Sequence, residues 1–333
     1  MLQLSKENST VIKGIAILLM LFYHLFNYDN AEACINFFHM GGVPLASWLA
    51  RACNPVAIFL LLSGYGLACK YEKGALNPLH QGSRALFLYL HFWITLAVFL
   101  TIGHLMVPAL YPGDWITLLG NATGWSPSYN HEMWFLLPYV LVSIVSLYIL
   151  RAVDKAGLIW AVVVTAVLHI ATQLYINHHS EALYTNLPLF QLLIFIQFLY
   201  PFTMGVALRR TSINLRWRMP QWAVIAGLAV LVLILCVTNI HLCYMFCAPL
   251  MVILFCHLRY PRWLKAILVE LGHKSMAMWM IHTWLAYYLF RPQVYSLRYP
   301  VLIFLGLLVV SYILAVPVMW AARTIYQRIL PNK

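Results

Sequence analysis

The chain returns again and again to long, unbroken apolar runs. Ten segments, near residues 12–28, 54–69, 85–108, 133–150, 157–176, 187–208, 222–240, 242–258, 275–290 and 300–322, are long and apolar enough to cross a bilayer, or nearly so; the second, eighth and ninth are short. In hydrocarbon every backbone polar group must find its partner within the chain, which restricts spanning structure to helices and closed barrels. Continuous rather than alternating runs predict an all-α polytopic membrane bundle of about ten transmembrane helices. Composition agrees: 63% of residues are hydrophobic and 9% charged, whereas a soluble domain carries about 25% charged residues. No soluble domain or low-complexity linker interrupts the pattern, so residues 1–333 read as one membrane-embedded domain.

The net charge of +12 would suit a nucleic-acid partner, but its distribution argues otherwise. With the N-terminus inside, the inner segments collect Lys6, Lys13, Lys70, Lys73, Arg84, Arg151, Lys155, Arg209, Arg210, Arg216, Arg218, Arg259, Arg262, Lys265, Lys274, Arg323, Arg328 and Lys333, which is 18 of the 21 Lys and Arg; only Arg51, Arg291 and Arg298 fall outside. This asymmetry is the positive-inside rule. It predicts both termini in the cytoplasm, in a multi-pass protein of the inner or plasma membrane, and needs no nucleic acid. The basic face could still hold a polyanionic substrate. Residues 1–33 also carry a basic start, a 12-residue apolar run and Ala31-Glu32-Ala33, the pattern of a cleavable signal peptide. Cleavage would delete the ionisable pair described next, so the segment is expected to be retained.

That pair is Lys13 and His24, at the two ends of the first apolar run. Eleven residues at about 100° each end roughly 20° beyond three full turns, so both side chains share one helix face, about 16 Å apart along the axis. An ionisable residue inside a bilayer is a functional-site hypothesis by default; the alternative is that Lys13 snorkels to the interface and His24 closes the helix. Glu132 opens the fourth segment in Asn130-His131-Glu132-Met133-Trp134-Phe135, on the outer side and level with His24. A carboxylate there could orient the imidazole for general-base chemistry. Against this, an acid at a helix N-terminus is favoured by the dipole alone, and Trp134 suits an aromatic belt.

Ser275 and His282, seven residues apart, share a face of the ninth segment, with His282 near mid-membrane. Ser63, in Ser63-Gly64-Tyr65-Gly66, lies on a small-residue face that helix packing alone explains. It is not in a nucleophile elbow. Asp29 completes an H-x4-D spacing with His24, which is read as chance while keeping Asp29 as a possible second carboxylate. Arg84, Arg209 and Arg210, with Lys70, Lys73, Arg216 and Arg218, form inner clusters able to bind phosphate through charge-assisted hydrogen bonds. The seven cysteines contain no CxxC pair; Cys34 and Cys53 bracket an outer loop and their pairing stays open. The 13 histidines show no metal-ligand spacing, and no metal is expected.

Taken together, these motifs resemble the acyltransferase-3 family of bacterial integral-membrane acyltransferases. Lys13-x10-His24 resembles its Arg/Lys-x10-His signature on the first helix. The run from Asn54-Pro55 to Ser63-Gly64-Tyr65 resembles its second-helix segment, and His131-Glu132-Met133-Trp134 the acidic-aromatic opening of its fourth. Tyr200-Pro201-Phe202-Thr203-Met204-Gly205 followed by Arg209-Arg210 is similar to its glycine-containing helix end. Leu271-Gly272-His273-Lys274-Ser275 leading to His282 is similar to its late serine–histidine segment. The matches run in family order from residue 13 to 282. Two departures stand out. Family members often carry two arginines three apart entering the third helix, where this chain has Arg84 and then Phe87. Many members append a hydrolase-like domain, and none follows here, so transfer is expected within the membrane domain or with a separate partner.

The resemblance implies transfer of an acyl group, most often acetyl, from cytoplasmic acyl-CoA (acetyl-CoA) to a hydroxyl of a cell-surface polysaccharide or its lipid-linked precursor. On it, His24 and Glu132 are the catalytic pair, Lys13, Arg84, Arg209 and Arg210 hold the coenzyme A donor, and Ser63, Trp134, Ser275 and His282 face substrate. The glycan acceptor, membrane lipid and polysaccharide-synthesis proteins are the implied partners. A rival from another class is a proton-coupled transporter, with Lys13, His24, Glu132 and His282 as a relay and helices broken at Pro201 and Pro317 as gates. A third reading is a catalytically silent member that only assembles with glycan-synthesis enzymes.

Overall fold

The computed structural model describes residues 4–27, 34–211 and 219–331. Asp29, Ala31-Glu32-Ala33, Arg216, Arg218 and Lys333 lie outside the described residues. Each of the ten predicted segments is helical: α1 (Lys6–Phe26), α3 (Val56–Glu72), α4 (Pro78–Met106), the bent α6 (Leu136–Ile144) and α7 (Ser146–Ala156), α8 (Leu158–His178), α10 (Leu187–Arg210), α11 (Gln221–Thr238), α12 (His241–His257), α13 (Arg262–Thr283) and α15 (Pro300–Ile329). Short helices α2 (Leu45–Ala50), α5 (Trp115–Thr123), α9 (Ser180–Thr185) and α14 (Arg291–Tyr295) lie in the connections. Six helices, α1, α4, α8, α10, α11 and α15, are long and apolar enough to cross a membrane singly, and the bent α6–α7 segment makes a seventh if taken as one span. The protein is a multi-pass, all-α membrane helix bundle.

Helix starts are set by local chemistry. Ser5 accepts from the Asn8 N–H at 3.0 Å to open α1. Asn77 accepts from Leu79 N–H at 2.9 Å, with Pro78 in the first turn, to open α4 seven residues before the predicted boundary at 85. α13 likewise begins at Arg262 rather than 275, so most of the stretch before the ninth predicted segment is helix. Its two lysines meet acids: Lys265 meets Glu7 at 2.7 Å, and Lys274 pairs with Glu270, which also accepts from the Tyr312 hydroxyl at 2.7 Å.

Other expectations are corrected. The fourth segment is not one straight helix: it opens as a 3-10 turn (His131–Phe135) and bends by 61° between α6 and α7. Between α1 and α3 the described residues 34–53 hold a two-strand hairpin, β1 (His39–Met40) and β2 (Val43–Pro44), turned by Gly41 and Gly42 at φ 59° and 81°, and then α2. α10 and α15 run unbroken through Pro201 and Pro317, so the helix breaks invoked as transporter gates are not there. No disulfide joins any two cysteines among the described residues, which removes the Cys34–Cys53 pairing.

Contacts between helix ends fix how the helices alternate. At one end, Arg209 meets Glu72 at 2.6 Å and Arg210 meets Asp154 at 2.6 Å, joining the ends of α10, α3 and α7. Lys265 and Glu7 join the starts of α13 and α1 at the same end. At the other, Asn130 bonds Thr283 at 2.9 Å and Tyr295 bonds the Leu25 carbonyl at 2.9 Å. The first end carries most of the lysines and arginines and is called the basic end below; the second is the far end.

Two parallel helix pairs are clasped by glycines. A Cβ on Gly14 of α1 would lie 2.0 Å from the Leu268 carbonyl oxygen of α13, and one on Gly272 of α13 would lie 1.9 Å from that of Thr10. The same device joins α3 and α10, where Cβ atoms on Gly64 and Gly205 would lie 2.0 Å from the Phe202 and 2.1 Å from the Leu61 carbonyl oxygens. Only glycine permits backbones this close, and small residues are the usual means of helix association in lipid. Two apolar cores result, one largely around α3, α10 and α12 and the other around α1, α4, α13 and α15. Phe59, Phe135 and Tyr139 pack against both, and the cavity described next lies along that seam.

Candidate functional site

His24 sits in the last turn of α1, on the stripe that continues Ile17, Met20 and Leu21, and is 5% exposed. Its Nε2 lies 3.8 Å from Glu132 Oε2. Glu132 reaches it because the 3-10 turn that carries it is bolted to the far end of α13. Asn130 Oδ1 accepts from the Glu132 N–H at 3.2 Å, Asn130 Nδ2 donates to Thr283 Oγ1 at 2.9 Å, and the His131 N–H donates to the Tyr288 hydroxyl at 2.9 Å. The two residues that sequence placed at one depth are therefore held side by side.

His24 and Glu132 open onto a cavity of about 380 Å3 that also contains Lys13, Arg84, Trp134 and Ser275. This volume falls in the ~300–1,000 Å3 range of small-molecule sites. Met20, Val56, Phe59, Leu88, Phe135 and Trp279 make most of the rest of its wall apolar. Lys13 projects into it, accessible to solvent yet surrounded by protein. Arg84 is steadied by a 3.2 Å bond to Oε1 of the buried Gln81, which also accepts from Ser143 at 3.2 Å. A second cavity, about 450 Å3, shares Arg84, Leu88, Tyr139 and Met276 with the first and adds Phe87, Arg323 and Tyr326. The two together run from the basic end to the His24–Glu132 pair.

The other sequence-predicted residues divide. Ser275 lines the cavity, although its hydroxyl is spent on the Gly272 carbonyl at 3.0 Å. His282 is fully buried behind His24, ring centroids 5.0 Å apart, with Nδ1–H donated to the Trp279 carbonyl at 2.8 Å. It supports His24 without lining the cavity. Ser63 does not line it either; its neighbour Gly64 packs against α10. Arg209 and Arg210 are also outside it, committed to Glu72 and Asp154. Those acids were available in the sequence, but nothing there said which cations they would meet.

Sequence reasoning missed three contributors. Asn54, buried and cavity-facing, looked like part of a helix start. Arg323 on α15 was read only as a topology charge, yet it shares a cavity with Arg84 and Phe87. Tyr287, whose hydroxyl lies 3.2 Å from His24 Nδ1, lies in a segment that looked like one more apolar stretch. Nothing in the sequence signalled it, because a five-residue step from His282 in a regular helix points about 140° away.

The arrangement can do one kind of chemistry well. A buried imidazole beside a carboxylate can take a proton from a hydroxyl, and cations at the other end of a largely apolar cavity can hold an anionic co-substrate. No curated protein and no solved structure matches the chain. A family model does: that of an acyltransferase domain of the acyltransferase-3 type matches residues 7–321, a stretch that contains every residue lining the first cavity. With that match spanning nearly the whole chain, the protein belongs to the acyltransferase-3 family and is a membrane acyltransferase.

Proposed function

We propose that the protein is an O-acetyltransferase, taking an acetyl group from acetyl-CoA at the basic end and delivering it to a hydroxyl of a cell-surface polysaccharide, or of its lipid-linked precursor, at the far end. The observation that carries this reading is the polarity of the cavity: Lys13 and Arg84 stand toward one end and His24 with Glu132 toward the other. A coenzyme A donor has matching polarity, phosphates followed by a thin arm that ends in the thioester. Its phosphates suit guanidinium and ammonium groups, and its arm suits the apolar wall between. With positive charge facing the cytoplasm, this orients the donor inward and the acceptor outward across an inner or plasma membrane.

In the chemical step, His24 Nε2 takes the proton of the acceptor hydroxyl as its oxygen attacks the thioester carbonyl. Glu132 faces the imidazolium that forms. The tetrahedral intermediate collapses, the C–S bond breaks, and the leaving thiolate recovers the proton from His24. The products are the ester and free coenzyme A, with no net proton change. Trp134 and Ser275 line the acceptor's path, and polysaccharide-synthesis proteins are the natural suppliers of that acceptor.

The test is direct. Purified protein in liposomes, given labelled acetyl-CoA and a panel of glycan acceptors, should move label to an acceptor or slowly hydrolyse the thioester. If it does neither while acyl groups of other lengths are transferred, the acetyl assignment falls. If it transfers none of them, the coenzyme A reading falls as well.

A further inference from the structure

Tyr287 lies where regular helix geometry would not put it. It follows His282 by five residues, which in an α-helix sets the two about 140° apart. Yet both touch His24: the ring centroids of Tyr287 and His24 lie 5.8 Å apart, against 5.0 Å for His282. The cause is a π-helical turn over Trp284–Tyr288, closed by a Leu289 N–H to Trp284 carbonyl bond at 3.0 Å. A π turn takes in one extra residue, and such turns are frequent at functional sites.

Two atoms of His24 meet the one hydroxyl of Tyr287. The hydroxyl donates to the His24 main-chain carbonyl, and its oxygen lies 3.2 Å from His24 Nδ1. A carbonyl oxygen can only accept, so the single phenolic proton goes there. Toward Nδ1 the oxygen is then the acceptor, and the ring proton must sit on Nδ1. The lone pair is left on Nε2, the nitrogen that faces Glu132. From this geometry we infer that Tyr287 is a positioning residue that fixes the His24 tautomer, keeping Nε2 free to accept the proton of the acceptor hydroxyl. When Nε2 takes that proton, Nδ1–H stays on the Tyr287 oxygen and the new Nε2–H points at Glu132. The inference rests on His24 being the general base proposed above.

The molecule supplies its own control. Tyr295, beyond the same π turn, donates to the Leu25 carbonyl at 2.9 Å. Tyr287 and Tyr295 thus both cap carbonyls of the last turn of α1, which a helix end leaves without intrahelical donors. Tyr287 in addition meets the ring.

The experiment compares Tyr287→Phe and Tyr295→Phe with wild type, and repeats Tyr287→Phe in a His24→Ala background, measuring kcat and donor KM for acetyl transfer and the melting temperature in detergent. Expected is a fall in kcat of roughly 10- to 100-fold for Tyr287→Phe, the loss of one hydrogen bond to a group that becomes charged, with donor KM unchanged. Tyr295→Phe should stay within about twofold of wild type, and Tyr287→Phe should cost nothing further once His24 is gone. Equal losses in both tyrosine variants, or an undiminished Tyr287→Phe effect without His24, would reduce Tyr287 to a structural cap. Wild-type kcat in Tyr287→Phe, with His24→Ala inactive, sinks the positioning role alone. Full activity in His24→Ala sinks the general-base reading instead.

Discussion

The α1–α13 and α3–α10 pairs are clasped in the same way, each by two glycines that bring a backbone carbonyl against the facing helix. They differ in what they present beside the clasp. α1 and α13 carry Lys13, His24, Gly272, His273, Ser275 and Met276 into the cavity. From the other pair, only the far-end start of α3, with Val56 and Phe59, reaches it, and α10 contributes no lining residue. The ionisable groups of α3 and α10 gather at the basic end, where Glu72 neutralises Arg209. One pair is therefore a scaffold, and the other is a scaffold with a reactive face. A glycine clasp allows this because it transmits position: once two backbones are locked, the side chains a few turns along are locked in register too.

This contrast can be broken at several strengths. The largest effect should come from His24→Ala. Removing a positioned general base costs about 10²–10⁴ in rate, so acetyl transfer per milligram should fall by that factor while the protein stays membrane-inserted and monodisperse. Retained activity would leave both helix pairs as scaffold. Next is Arg84→Ala. If its guanidinium meets a coenzyme A phosphate, donor KM should rise roughly 10- to 100-fold, and Arg84→Lys should recover only part, since an ammonium lacks the planar two-point contact. An unchanged donor KM would remove Arg84 from the donor site.

The glycines separate scaffold from reactive face. Gly205→Ala and Gly272→Ala both force a Cβ onto a carbonyl oxygen, and overpacking of this kind costs about 1–3 kcal/mol, readable as a lower melting temperature in detergent. Activity per folded molecule should fall in Gly272→Ala, which shifts α1 against α13, and hold in Gly205→Ala. Equal specific activities would show that the clasp does not set the site. The smallest effect is expected at Arg209. Its partner is Glu72 at the partly exposed basic end, so Arg209→Ala should cost no more than about 1 kcal/mol of stability and leave donor KM unchanged. A large KM increase would return Arg209 to the donor site that sequence alone suggested.

Much of the architecture was legible because a bilayer imposes simple rules. Apolar runs located ten helices, and eleven residues at 100° each placed Lys13 and His24 on one face; both line one cavity. The level of Glu132 relative to His24 followed from counting spans. Less legible were features that depend on a partner elsewhere in the chain. Lys265 and Lys274 looked like loop charges, but Glu7 and Glu270 let α13 extend through them. The bend between α6 and α7 has no proline at Val145 to announce it.

What the sequence determined by itself, then, is whatever follows from solvent and helical period: the all-α bundle, the grouping of charge at one end, and the shared face of Lys13 and His24. What only the tertiary structure decided is which cations are spent. Arg84 and Arg323 are left lining a cavity while Arg209 and Arg210 are neutralised, because an ion pair depends on distances between helices that no local pattern encodes. It also decided which groups meet His24. Tyr287 lies 263 residues away, and a π turn, invisible to a 3.6-residue period, brings its hydroxyl onto the ring.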